Sequence, residues 1–250
     1  MSIFLGTNQV DNIIKINNIY DTNDIESWFN RTIVTIYDSR LTTITPEAFY
    51  SCSSLKNISF LNCVYIDLSA FTGCSKLTLV NFPNCSIISH DAFRTCTSLS
   101  YIYFPVCKVI HSYAFYGCTS LQTIYFPICS RIASNAFSSC RRLTSINFPE
   151  VLLIESNAFR SCSSLTTASF PICNNISNNA FSGCYNLISL YLNSVSSVPS
   201  LGTSVFNSTP IGGYSTSAGQ YGSVYVPASL YSSFLTATNW SSISARIVSI

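Results

Sequence analysis

An Ala-Phe pair recurs seven times in this chain at a constant interval of 22 residues, from Ala48-Phe49 to Ala180-Phe181, and each copy leads into Ala-Phe-x-x-Cys-x-x-Leu. A fixed period in the range of 20–50 residues marks one small unit stacked on copies of itself, because a unit this short cannot bury its apolar face alone. The cysteines follow the same period. Cys52, Cys74, Cys96, Cys118, Cys140, Cys162 and Cys184 close the Ala-Phe motif, while Cys63, Cys85, Cys107, Cys129 and Cys173 fall halfway between them. In the halfway series, Val151 and Val195 stand where cysteine is due.

One unit, Leu99 to Ser120, reads Leu-Ser-Tyr-Ile-Tyr-Phe-Pro-Val-Cys-Lys-Val-Ile-His-Ser-Tyr-Ala-Phe-Tyr-Gly-Cys-Thr-Ser. Leu99 to Phe104 has strand composition and stops at Pro105, which has no N–H to give a ladder. The Ala-Phe-x-x-Cys stretch fits a tight turn or a single helical return, too short to stand as a helix by itself. The period predicts a repeat solenoid whose coils share one continuous core. It falls in the 20–29-residue window of leucine-rich repeats, so the expected fold is a leucine-rich-repeat-like array. Each 22-residue coil should carry one short parallel strand and a tight turn or helical return, and caps should close the ends.

The full pattern, Phe-Pro-x-Cys-x-x-Ile-x-x-x-Ala-Phe-x-x-Cys-x-x-Leu-x-x-Ile, resembles the BspA-like class of bacterial leucine-rich repeats, and the likeness spans roughly Ile33 to Val198. The resemblance implies a bacterial surface adhesin. A second, shorter likeness is that of Ile3 to Val10 to strand motifs in virion proteins of bacteriophages of gut bacteria.

Composition narrows the function. Hydrophobic types make up 48% of the chain and charged types 9%, with a net charge of +2, so the chain has the means to build a core and lacks the signature of a disordered one. The 12 basic and 10 acidic side chains are scattered, which disfavours nucleic acid as a partner. Polar residues interrupt every apolar run short of the ~18 residues that a helical span needs, so no membrane insertion is expected. Met1 to Val10 lacks the basic start and apolar stretch of a signal peptide.

Twelve cysteines raise the question of metal and disulfides. Structural zinc takes closely spaced pairs with histidine, whereas here the spacing is 11 and the histidines are only His90 and His111. Equivalent residues of stacked coils point parallel, which is wrong for the dihedral of about 90° in a disulfide. A site that accepts valine wants small apolar volume, so the cysteines read as buried free thiols that fill the bends of the coils. No cofactor or metal is expected.

Three regions follow: residues 1–32 as an N-terminal cap or docking segment, 33–198 as the repeat array, and 199–250 as a C-terminal capping module. In the last, Val205-Phe206 comes 25 residues after the final Ala-Phe, and a Gly/Ser-rich loop runs from Gly212 to Ser223. A strand at Val224 to Val226, a short helix from Pro227, a final strand near Arg246 to Ile250 and a buried Trp240 complete the module.

Catalysis is not expected: no nucleophile elbow, phosphate loop or carboxylate pair is present. The functional surface of a solenoid is its strand face, where the third and fifth residues of each Leu-x-x-Ile-x-Phe point outward. Those positions place Tyr101, Tyr103 and Tyr125 in one cluster, flanked by Asn81 and Asn147. Tyrosine offers a rigid amphipathic ring at small entropic cost, although aromatic residues also favour strands for packing alone. The expected role is non-catalytic recognition of a protein or a surface glycan, on a cell surface or as part of a virion, where the chain would assemble into a larger particle.

Overall fold

The computed structural model describes residues 13–15, 35–37 and 41–250. It is a stack of parallel coils, each with three sides, and every side is a ladder of backbone hydrogen bonds to the neighbouring coils. The Ile3 to Val10 stretch lies outside the described residues, as does most of the segment 1–32.

The first side, the long ladder, is built from three-residue strands. In the array they are Asn57–Ser59, Leu79–Asn81, Tyr101–Tyr103, Thr123–Tyr125, Ser145–Asn147, Thr167–Ser169 and Ser189–Tyr191. All pairing is parallel and in register, as in Asn57↔Leu79 and Thr167↔Ser189. The central residue of each strand turns inward: Ile58, Val80, Ile102, Ile146, Ala168 and Leu190 are buried. The residue that follows, phenylalanine in six of these strands and Leu192 in the last, is buried too, and in most coils a proline after it ends the ladder. Pairing on this side is divided: Tyr101–Tyr103 and Thr123–Tyr125 pair only with each other, between a four-stranded and a five-stranded sheet. At the N-terminal end, Thr35–Tyr37 and Ile13–Lys15 continue the ladder at the same 22-residue spacing. No Ala-Phe pair or cysteine marks that earlier coil, so the spacing is visible only in the backbone.

The second side is a short ladder of eight two-residue strands, from Thr43–Ile44 to Ser200–Leu201. Each coil therefore carries a second strand beyond the one expected from its composition. Two extended residues, such as Val109–Ile110, are too few to show an alternation in sequence. One of the two always faces the core: Ile44, Ile66, Ile88, Ile110, Ile132, Ile154 and Ile176 are buried.

The third side is the Ala-Phe-x-x-Cys return, which is neither helix nor strand. The residue before each alanine and the residue before each cysteine have positive φ, for example Asn135 at 60° and Ser139 at 64°. Asn, Asp, Ser and Gly hold most of these positions, and of these Gly, Asn and Asp enter the left-handed region at least cost; Glu47 at 58°, Thr95 at 56° and Tyr113 at 61° are the exceptions. Alternating the two hands makes alternate N–H groups point along the stack. Thus Asn135, Phe137 and Ser139 donate to the carbonyls of Ser156, Ala158 and Arg160 at 3.1, 2.8 and 2.8 Å, and the N–H groups between them turn back to carbonyls three residues earlier. A turn is thereby used as a ladder.

Inside run two columns of phenylalanine. Phe49, Phe71, Phe93, Phe115, Phe137, Phe159, Phe181 and Phe206 stack with ring planes within 9° of one another, at 5.0 to 6.1 Å. Phe60, Phe82, Phe104, Phe126, Phe148 and Phe170 form the second, and the columns touch through tilted and edge contacts such as Phe115–Phe126 at 6.0 Å. Stacking within a column and edge contact between columns are the two favourable aromatic geometries.

At the C-terminal end the chain leaves the coil after Phe206 and returns as Ser223–Val226, followed by a 3-10 turn Ala228–Leu230, the helix Tyr231–Thr236, a 3-10 segment Ser241–Arg246 and the strand Ile247–Ser249. The two strands extend the long ladder. Trp240 is fully buried, sits 6.3 Å from the ring of Phe206 and 5.0 Å from that of Phe234, and donates its indole N–H to the Pro199 carbonyl at 2.7 Å. It ends the first phenylalanine column.

Candidate functional site: the long-ladder face

Strand alternation turns the first and third residue of each long-ladder strand to the outside. Tyr101, Tyr103 and Tyr125 are 47%, 41% and 46% exposed, with Ile102 buried between the first two. Parallel register sets Tyr103 opposite Tyr125 and Tyr101 opposite Thr123. The rings of Tyr103 and Tyr125 stack at 5.0 Å with planes 9° apart. Tyr101 points to the same face from the other end of its strand and joins no ring pair among the described residues. The cluster read from the sequence is therefore a stacked pair with a third ring beside it.

The flanking asparagines differ. Asn81 is half-buried and donates from Nδ2 to Ser59 Oγ at 2.9 Å along its own column, so part of its capacity is spent within the fold. Asn147 is exposed, and its side chain makes no hydrogen bond among the described residues.

A second aromatic pair lies on the same column. Tyr191 stands opposite Tyr225, their rings 4.6 Å apart and 12° from parallel. Beside it the Arg246 guanidinium lies 4.1 Å from the centre of the Tyr221 ring. No 22-residue spacing pointed to this pair, because the excursion between Leu201 and Ser223 separates its members in the chain.

The cysteines belong to the interior. All twelve are free thiols, eleven buried and Cys52 half-buried. Those that close the Ala-Phe motif donate from Sγ to the phenylalanine carbonyl of the coil before, as Cys118 does to Phe93 at 3.1 Å. The halfway series donates to a carbonyl two residues ahead in its own coil, as Cys129 does to Arg131 at 3.3 Å. Burial pushes these thiols up, Cys63 to about 11 and Cys118, Cys129 and Cys173 to about 12, which leaves them protonated and unreactive.

His90 and His111 meet on the opposite side of the coil, ring centres 5.0 Å apart. Partial burial lowers the His111 pKa, and His90 and Arg131 add to the effect. Glu155 receives Arg131 and the N–H and hydroxyl of Ser134. Burial alone would raise its pKa, but these donors outweigh burial and hold it below the usual carboxylate range. Neither imidazole is hydrogen-bonded to a serine or cysteine among the described residues. Among the same residues no three His, Cys, Asp or Glu converge to hold a metal ion, and no helix is long and apolar enough to cross a membrane.

Comparison with known proteins places this geometry. The family model described as a BspA type leucine rich repeat region matches residues 4–122 and 86–212, in six copies. A leucine-rich repeat protein of T. pallidum is 28% identical over 78% of this chain and 80% of that one, with a TM-score of 0.51. A leucine-rich repeat protein from Bacteroides ovatus ATCC 8483 is 23% identical over 78% of this chain and 56% of that one, with a TM-score of 0.53, a likeness of fold. No curated protein matches the chain.

Proposed function

The chain belongs to the BspA-type leucine-rich repeat family, and from that premise we propose that it is a non-catalytic recognition protein whose long-ladder face, centred on Tyr101, Tyr103 and Tyr125, binds a protein partner. The Tyr103–Tyr125 stack carries the reading. Two rings with parallel planes at 5.0 Å cover each other's facing sides and hold each other in place, while both remain more than two-fifths exposed. None of the three hydroxyls has a partner among the described residues. Ring edges and hydroxyls suit the carbonyls and apolar side chains of a protein surface. Asn147 adds an uncommitted amide next to the stack, and Asn81 one that is already shared with Ser59.

Contact through rigid, pre-positioned tyrosines makes them the energetic centre of such an interface. A bacterial surface is the first setting we propose for this recognition, with adhesion as the role there. A virion is the second setting, favoured by the sparsely charged exterior; flanking genes for capsid and tail proteins would carry it, and their absence would remove it.

The test is binding of the full chain to a panel of immobilised bacterial surface proteins and to a glycan array. The variant Y101S/Y103S/Y125S, with its melting temperature unchanged, should lose protein binding by at least roughly 30-fold, the worth of one tyrosine hot spot of ~2 kcal/mol. Unchanged binding would remove this face from the reading, and tight binding to glycans alone would replace protein with glycan.

A further inference from the structure

The turn ladder has a donor end. In seven successive coils, three N–H groups point along the stack, and every one of them is received by a carbonyl of the next coil. The series begins with Glu47, Phe49 and Ser51 donating to Leu68, Ala70 and Thr72, and closes with Asn179, Phe181 and Gly183 donating to Thr203, Val205 and Asn207. The equivalent residues of the last coil are Ser204, Phe206 and Ser208, and Ser204 and Ser208 keep the positive φ of their positions, 55° and 56°. No further coil follows on this side. The chain departs through Gly212 and returns on the long-ladder side, so the N–H groups of Ser204, Phe206 and Ser208 have no hydrogen-bond partner among the described residues.

Ser204 and Phe206, though not Ser208, line an open cleft of about 390 Å³, within the range of ligand sites. Its floor is the last turn, Thr203 to Asn207, and its far wall is the C-terminal module at Asn239, Ser242 and Ile243. Asn239 is fixed by donation to the Leu201 carbonyl at 2.6 Å, and Ser242 by donation to the Asn239 carbonyl at 2.6 Å. No lysine or arginine lines the cleft, and its accessible apolar surface comes from the half-buried Leu201 and Ile243, since Val205 and Phe206 are almost wholly buried.

We infer that this cleft is a peptide-binding site, in which a chain segment offers carbonyls from alternate residues to Ser204 and Phe206 within the cleft, and to Ser208 beyond it, and so takes the place of the missing coil. Phe206 is buried and Ser208 half-buried, so their N–H groups call for acceptors, while Ser204 is exposed and its N–H is open to an incoming chain. The spacing of these three is the one that a polypeptide backbone has matched in all seven preceding coils. A mixed apolar and neutral lining suits peptide side chains and gives no charge to hold a free anion. The mode is that of strand addition to a sheet edge, carried out on a ladder of turns. It is separate from the long-ladder face and does not rest on the function proposed for that face.

The test has two steps, both on the full chain. In amide hydrogen exchange, Ser204 and Phe206 should be protected at least about 100-fold less than Asn179 and Phe181, the paired equivalents one coil earlier; equal protection would overturn the proposal. A random heptapeptide library displayed on phage is then panned on the wild-type chain. Enriched peptides should shift the amide resonances of Ser204 and Phe206, and should bind at least roughly tenfold more weakly to both Thr203→Trp and Ser242→Trp, two exposed positions whose indoles would fill the cleft from opposite walls. Peptide binding should survive in Y101S/Y103S/Y125S. Selection that yields no peptide sensitive to either tryptophan, or the same amide shifts with sodium sulfate alone, would overturn the assignment.

Discussion

Replacing Phe115 by alanine tests the architecture at its centre. Phe115 is fully buried and stacks between Phe93 at 5.3 Å and Phe137 at 5.2 Å, with planes within 5° of both. It also meets Phe104 at 6.2 Å and Phe126 at 6.0 Å in the second column. Phe→Ala in a core costs about 3–5 kcal/mol, of which the cavity is a large part. Four ring neighbours, each worth about 0.5–1.5 kcal/mol beyond buried area, place this site at the upper end, about 5 kcal/mol. Leucine keeps most of the volume and loses the ring geometry, so Phe115→Leu should cost about 2 kcal/mol. Because coils contact only their neighbours, the alanine variant should also loosen the coupling between the two halves of the stack. Urea unfolding followed by far-UV circular dichroism reads both effects: the wild type in one transition, Phe115→Ala destabilised and broadened or split into two. A loss below about 2 kcal/mol for Phe115→Ala would refute the stacked column as the main inter-coil contact, as would a Phe115→Leu variant as damaging as the alanine.

The thiols offer a second check: at pH 8 a thiol-specific reagent should leave the eleven buried cysteines of the native chain unmodified over minutes and reach all twelve in denaturant, and rapid native modification of several would contradict the burial described. Cys129→Val should change stability by less than about 1.5 kcal/mol, because Val151 occupies the equivalent bend one coil later, and a larger loss would mean that the thiol hydrogen bond matters more than its volume. Thr95→Asn should raise stability by about 1 kcal/mol, since a β-branched residue at φ 56° carries a left-handed cost that asparagine largely avoids; a lower melting temperature would refute the strain. Glu155 has a pKa held below that of the unfolded chain, so its contribution is full at neutral pH and is lost as the pH falls below the usual carboxylate range. His111, whose pKa is also lowered in the fold, adds a loss that begins as the pH falls through the usual histidine value. Acid titration of stability should therefore be shallower below about pH 4.5 in Glu155→Gln than in the wild type, and identical curves would exclude the Arg131–Glu155 contact as its source.

Much of this was legible because it is local. Strand alternation alone puts Tyr101, Tyr103 and Tyr125 outside and Ile102 inside, and the structure places them so. Val151 in the cysteine series marked those positions as volume fillers, in keeping with the buried thiols observed. Other features left no readable trace. Val109–Ile110 and its equivalents are too short to alternate. The Ala-Phe turn showed its Asn, Ser and Gly, but that their left-handed φ values turn alternate N–H groups along the stack depends on a coil being there to receive them.

By itself, then, the sequence determined the period, the inward and outward sense of the long-ladder side chains, and the stacking of like on like, since each of these follows from one unit and its repetition. Tertiary structure decided which groups meet across coils and which are left at an end. Tyr191 finds Tyr225 across an excursion that breaks the period, and Trp240 finds Phe206 from the far side of the C-terminal module. The donors of Ser204, Phe206 and Ser208 lose their partners only because the chain turns away after that coil. A repeat specifies its own neighbours, whereas the ends and interruptions of a stack are set by contacts that no single unit contains.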